Sequence, residues 1–126
     1  MSTAQRFEDL AAWQFSREME DVIFEITESG RASRDQEFCG QIRNAAKKAA
    51  PLVAEGFIRF TAREFVLYLR MALGEIAEVQ SRLESARRRQ YLSADQLARA
   101  CTVTNRAMGT TTNLLKAKLR EIGEPL

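Results

Sequence analysis

The stretch SADQLARACTVTNRAMGTTTNLLKAKLREI (93–122) decides the fold. Leu97, Cys101, Thr104, Met108, Thr111, Leu115, Leu119 and Ile122 recur in it at alternating steps of four and three. At about 100° per residue these positions share one helical face, and that alternation is the seam of left-handed bundle packing. Ser93 and Gln96 supply a capping box at its start, so the spacing predicts a helix over 94–122. A helix of this length with a single apolar stripe needs other helices to bury it.

The preceding sequence provides three. Thr61 and Glu64 repeat the capping pattern, and Phe65, Tyr68, Leu69, Ala72, Leu73, Ile76, Val79, Leu83 and Ala86 hold one face of a helix over 62–89. Phe38, Ile42, Ala45, Ala46, Ala49, Leu52 and Val53 keep one phase over 36–59, with Ser33 or Asp35 as the cap. Pro51 predicts a kink in this helix, because proline removes a backbone bond and crowds the preceding turn. Ala11, Phe15, Met19, Val22, Ile23 and Ile26 define a first helix over 8–29, with Gly30 as its stop. No window alternates with a period of two, so no strand is expected. Short connections predict a single all-α domain over 1–126, an antiparallel up-down-up-down four-helix bundle.

Composition agrees and excludes much. The 126 residues are 45% hydrophobic and 29% charged, with two prolines and six scattered glycines, which suits one packed core. No apolar run approaches a membrane span, and MSTAQRFEDL lacks the basic and apolar regions of a signal peptide, so a cytoplasmic protein without a membrane is expected. The absence of histidine removes Ser-His-Asp and Cys-His schemes and nearly all transition-metal sites, the Glu-x-x-His pairs of a di-iron bundle included. Cys39 and Cys101, 62 residues apart, read as small core hydrophobes. Neither GxGxxG nor GxxxxGK[ST] occurs. The acidic stripe Glu18, Asp21, Glu25 and Glu28 and the pair Glu75 and Glu78 read as solvated faces. The expectation is a non-enzyme with no cofactor and no metal.

The remaining chemistry is basic. Residues 1–37 hold four basic and nine acidic side chains, whereas 38–126 hold fifteen and eight. Arg99, Arg106, Asn113 and Arg120 recur every seven residues opposite the helix 4 seam, and no acidic residue occurs from 96 to 120. Arg87, Arg88 and Arg89 close helix 3, and Arg43 and Lys47 add charge to helix 2. Such cations neutralise phosphates without reading bases. They are equally the pattern of a solvated outer face. Apolar residues off the core faces are Leu10, Trp13 and Phe24 on helix 1 and Leu67 and Met71 on helix 3, which predict an oligomer interface.

FEDLAAWQ (7–14), GQIRNAAKKAAPLVAEGFIRF (40–60) and EFVLYLRMALGEIAEV (64–79) together resemble one family. It is the four-helix bundle proteins encoded in intervening sequences of bacterial 23S rRNA genes, with blocks F-x-D-L-x-x-W-Q, Q-I-R-R-A-A…A-E-G and E-F-x-x-x-L-x-x-A-L-G. Asn44 replaces the second Arg of the middle block, and Lys48 to Leu52 replace its Ser-Ile-Pro-x-Asn. The resemblance implies a homopentamer, and a relation to pentameric accessory proteins of diversity-generating retroelements, which bind a reverse transcriptase and nucleic acid. The expected function is therefore a homo-oligomer that binds RNA, DNA or a nucleic-acid-processing protein through basic residues. The alternative is a protein-interaction scaffold with no nucleic-acid binding.

Overall fold

The computed structural model describes residues 4–125; residues 1–3 and 126, the ends of the expected 1–126 domain, lie outside the described residues. Four helices carry the fold: α1 (Ala11–Ile26), α2 (Gln36–Phe57), α3 (Ala62–Arg89) and α4 (Ala94–Glu121). Single 3-10 turns, Phe7–Asp9 and Ala32–Arg34, precede α1 and α2. No strand occurs among the described residues. Each helix packs against two others, α1 and α3 both lying against α2 and α4.

The starts of α2, α3 and α4 fall where their caps predict. Asp35 Oδ1 accepts the Phe38 N–H at 3.0 Å, so Asp35 caps α2, while the Ser33 hydroxyl donates to Gly30 O at 2.7 Å. Thr61 Oγ1 accepts the Glu64 N–H at 3.2 Å, and Ser93 and Gln96 form the full reciprocal box. The first helix departs from its expected range of 8–29. Residues 7–9 form a separate turn, Leu10 is extended, and the helix stops at Ile26. The early stop has a local cause. The Thr27 hydroxyl donates to Ile23 O (2.7 Å) and Phe24 O (3.1 Å), and Arg43 donates to Thr27 Oγ1 (2.7 Å) and Phe24 O (3.2 Å). These donors satisfy the last-turn carbonyls that a continuing helix would otherwise use. Gly30 instead takes a positive φ of 72° in the connection beyond. Pro51 lies on the exposed side within an unbroken α2.

The core falls into two apolar clusters. The larger contains Met19, Ile23, Ile42, Ile76 and Val79 with Ala45, Ala46 and Ala49 of α2. The smaller contains Ala12, Val53, Phe65, Leu69 and Ala72. The expected α4 seam is corrected: Ala100, Val103, Thr104, Ala107, Thr111 and Leu119 are buried, whereas Leu97, Cys101, Met108, Leu115 and Ile122 are only half-buried. Since α4 touches both α1 and α3, its buried centre follows the small residues between those contacts, and the bulkier stripe moves to the edge. On α1 the same shift buries Ala12 and Ser16 and leaves Ala11 exposed and Phe15 half-buried. Gly56 lies at a close approach of α2 to α3. A Cβ there would lie 2.7 Å from Phe65 Cδ1 and 2.9 Å from Tyr68 Cβ.

Two polar features of this architecture yield predictions. The hydroxyls of Ser16 and Thr111 are fully buried with no hydrogen-bond partner among the described residues. An orphaned buried hydroxyl costs about 1–3 kcal/mol, so Ser16→Ala and Thr111→Val should each raise stability by about 1 kcal/mol in chemical denaturation. Asp35 is held below the usual carboxylate range, first by the Tyr91 hydroxyl, then by the Phe38 N–H and the charge of Arg89. A depressed folded-state pKa gives stability that is present above the unfolded value and lost as pH falls through the folded one. Wild type should therefore lose stability below about pH 4. Asp35→Asn should lack that part of the acid limb in melts recorded from neutral to acidic pH.

Candidate nucleic-acid interface

The acid-free run of α4 places Arg99, Arg106, Lys116 and Arg120 on its exposed side. Helix α1 lies alongside and takes up part of this charge. Glu25 pairs with Arg99, and the Arg106 guanidinium stands 5.9 Å from the centre of the half-buried Phe15 ring. Among the described residues, Arg106, Lys116 and Arg120 have no carboxylate partner. At 1.5 Å per residue, Arg106 and Arg120 are about 21 Å apart along the helix.

The other basic candidates lie elsewhere. Helix α3 ends where Gln90 adopts left-handed dihedrals (φ 57°, ψ 43°), with Arg87, Arg88 and Arg89 in its last turn beside the negative end of the helix dipole. Arg87 grips Glu84 through two bonds of 2.9 and 2.6 Å, which lowers the Glu84 carboxyl's pKa and raises that of Arg87. Arg89 reaches Asp35 at 3.3 Å, and Arg88 has no ion-pair partner among the described residues. Lys47 is exposed with Lys48 in an open groove between α2 and α3 that Glu55, Tyr68, Met71 and Glu75 also line. Arg43 turns onto α1, where its guanidinium lies 4.7 Å from the Phe24 ring centre while donating to the helix end. Of the eight candidates, Arg43, Arg87, Arg89 and Arg99 thus carry intramolecular partners. Among the described residues, Lys47, Arg88 and Arg120 carry none of that kind, and Arg106 meets the Phe15 ring without an ion pair.

The apolar candidates divide in the same way. Leu10 and Trp13 are half-buried against the smaller core cluster, and the Trp13 ring lies 5.5 Å from that of Phe7. Phe24 is half-buried beneath Arg43. Leu67 and Met71 stand out, 58% and 46% exposed. Ile58 (63%) and Phe60 join them in the connection between α2 and α3. The sequence reading singles out neither: it places Ile58 near the end of a helix over 36–59 and Phe60 in the connection, where the signal is an aromatic residue immediately before the Thr61 cap.

The acidic stripe of α1 is divided among separate pairs, Asp21 with Arg17 at 3.8 Å and Glu25 with Arg99, and Glu78 pairs with Arg82 at 3.1 Å. No group of three or more His, Cys, Asp or Glu side chains suited to a metal occurs among the described residues. Cys39 and Cys101 are half-buried free thiols whose pKa burial pushes up, and the Cys39 thiol donates to Ala32 O at 3.1 Å. No helix among the described residues is long and apolar enough to cross a membrane. Arg31 and Arg34, overlooked in the sequence, come to lie beside Tyr91 at one end of the bundle.

The residues quoted for the family resemblance do identifiable packing work here. Phe7 meets Trp13, Asp9 accepts the Gln5 and Arg6 N–H groups, and the Gln14 amide donates to Glu8 O at 2.9 Å, so the first block forms a hook before α1. Ala45 and Ala46 are buried, and Gly56 allows α2 to meet α3. Residues 8–113 match the sequence profile of a family described as 23S rRNA-intervening sequence protein. No curated protein matches the chain. With most of its length matched and four helices packed as a bundle, the chain belongs to the 23S rRNA-intervening sequence protein family.

Proposed function

We propose that the chain is a non-catalytic, cytoplasmic homo-oligomer that binds the phosphates of nucleic acid without reading bases. The observation that carries this reading is α4, whose exposed Arg106, Lys116 and Arg120 lie on an acid-free run with no carboxylate partner among the described residues. Phosphate contacts of this kind depend on charge and need no base-edge geometry. In this reading the protomer is an antiparallel up-down-up-down bundle, bent in α2 at Pro51. Supporting the first point, Phe15 meets Arg106 while the later Glu25 meets the earlier Arg99, and Arg63 meets Glu124 while Gln80 meets Asn105. The oligomer forms through the apolar surface of Ile58, Phe60, Leu67 and Met71, in the five copies that the family resemblance implies. A second reading, a protein-interaction scaffold, is favoured by the intramolecular partners of Arg43, Arg87, Arg89 and Arg99.

Charge reversal separates the two. Arg106→Glu with Arg120→Glu should weaken binding of duplex RNA at least about tenfold at low salt and lower the log–log salt slope by about two. Circular dichroism should be unchanged, and undiminished binding would remove α4 from the interface. Arg43→Ala should lower thermal stability, with its effect on binding the smaller one.

For the assembly, Leu67→Glu with Met71→Glu should reduce the mass in sedimentation equilibrium to the 14.3 kDa of one chain. An unchanged mass would place the interface elsewhere.

A further inference from the structure

Two arginines outside the basic stripes stand where the α1–α2 and α3–α4 connections meet. Arg31 and Arg34 bound the 3-10 turn Ala32–Arg34; both are exposed, and neither side chain has an ion pair among the described residues. With Asp35, Gln36 and Tyr91 they line an open groove of about 650 Å³. Arg88 and Arg89 end α3 just before Tyr91, and Arg89 lies 6.0 Å from the Tyr91 ring centre.

The backbone beneath the groove is held by hydrogen bonds and burial. Ala32 is fully buried, its carbonyl accepts the Cys39 thiol at 3.1 Å, and the Ser33 hydroxyl holds Gly30 O at 2.7 Å. The backbone carrying both arginines is therefore fixed at the start of α2. Tyr91 is fixed as well, its ring edge-on to Phe38 at 5.3 Å and its hydroxyl donating to Asp35 at 2.6 Å. Asp35 is the acid of the groove, and its oxygens already accept Phe38 N–H, Tyr91 O–H and Arg89 N–H. Its charge is directed to Arg89 and leaves Arg31 and Arg34 uncompensated. Glu28 and Glu37, the next acids in sequence after Asp35, pair with neither among the described residues.

We propose that this groove is a phosphate-binding site for nucleic acid, in which Arg31 and Arg34 grip backbone phosphate oxygens beside the wall formed by Tyr91. The guanidinium fork presents paired N–H donors that match two oxygens of one phosphate, and ordering such a side chain costs less where its backbone is already held. Helix α4 begins at this same end, after the Gln90–Ser93 connection, and carries Arg99, Arg106 and Arg120 away from it. A polymer with a charge at every unit meets the groove and the stripe together, which favours nucleic acid over an isolated carboxylate. The inference rests on the phosphate-binding reading above and adds the bundle end to its contact surface.

The test uses the full chain and two double variants, Arg31→Gln with Arg34→Gln and Arg106→Gln with Arg120→Gln. Anisotropy of a short labelled RNA duplex is followed across salt, and inorganic tripolyphosphate is titrated while the arginine Nε–H signals are followed by NMR. The groove variant should keep the wild-type melting temperature, bind RNA at least about tenfold more weakly and lose about two from the salt slope. Tripolyphosphate should shift the Arg31 and Arg34 signals of the wild type. A groove variant that binds RNA as wild type does overturns the site, and loss in the α4 variant alone then leaves the α4 reading standing. If wild type ignores RNA yet tripolyphosphate moves Arg31 and Arg34, the phosphate site stands and the nucleic-acid function falls. Neither response overturns both.

Discussion

The close packing of α2 against its neighbours sets the terms for everything else in this protein. From Ala45 to Ala50 its buried side is made only of alanines, and Gly56 continues that side with no side chain at all. Small residues lose little rotamer entropy on burial, and they let neighbouring backbones approach. The volume they leave is filled by larger groups from α1 and α3, such as Met19, Leu69, Ile76 and Val79. At Gly56 the fit tolerates no added atom, since even a methyl group would fall within 3 Å of Phe65 and Tyr68. A bundle closed this tightly spends its inner faces on packing. Chemistry directed at another molecule is left to the outer faces and the two ends.

Arginine then serves two purposes that sequence order does not separate. Some arginines complete the fold. Arg43 satisfies the end of α1 and covers Phe24, and Arg89 with Tyr91 ties the end of α3 to the cap of α2 through Asp35. Exposed pairs such as Arg87 with Glu84 add little to stability in water, but they cancel charge that a ligand would otherwise feel. Among the described residues, the arginines left without an ion pair or side-chain hydrogen bond are Arg31, Arg34, Arg70, Arg88, Arg106 and Arg120, of which Arg70 and Arg88 lie on α3. Arg31 and Arg34 frame one end of the bundle, and Arg106 and Arg120 mark α4.

What the sequence makes legible here follows the range of the interaction involved. Helix starts at 36, 62 and 94 rest on caps three residues long; Thr61 and Ser93 are readable directly, whereas the first is readable only as Ser33 or Asp35 until the structure shows Asp35 accepting the Phe38 N–H. The end of α1 depends on Arg43, which arrives from the next helix, so periodicity carried that helix three residues too far. On α4 the four-and-three alternation picks out Thr104, Thr111 and Leu119 of the buried line but not Ala100, Val103 and Ala107, because it does not tell which adjacent stripe faces both neighbours. Trp13 and Phe24 share a stripe by helical geometry, yet Phe7 packs on the first and Arg43 covers the second. The groove of Arg31, Arg34 and Tyr91 joins segments more than fifty residues apart, and no local pattern signals such a meeting.

The salt dependence of nucleic-acid binding by the purified wild-type protein bears most directly on the phosphate-binding claim. Labelled duplex RNA and duplex DNA would be titrated with the protein at a series of salt concentrations. Binding at micromolar or tighter affinity is predicted, weakening linearly on log–log axes with a slope of several, shared by both nucleic acids because no base is read. Absence of binding even at the lowest salt, or binding that salt does not weaken, would contradict the claim.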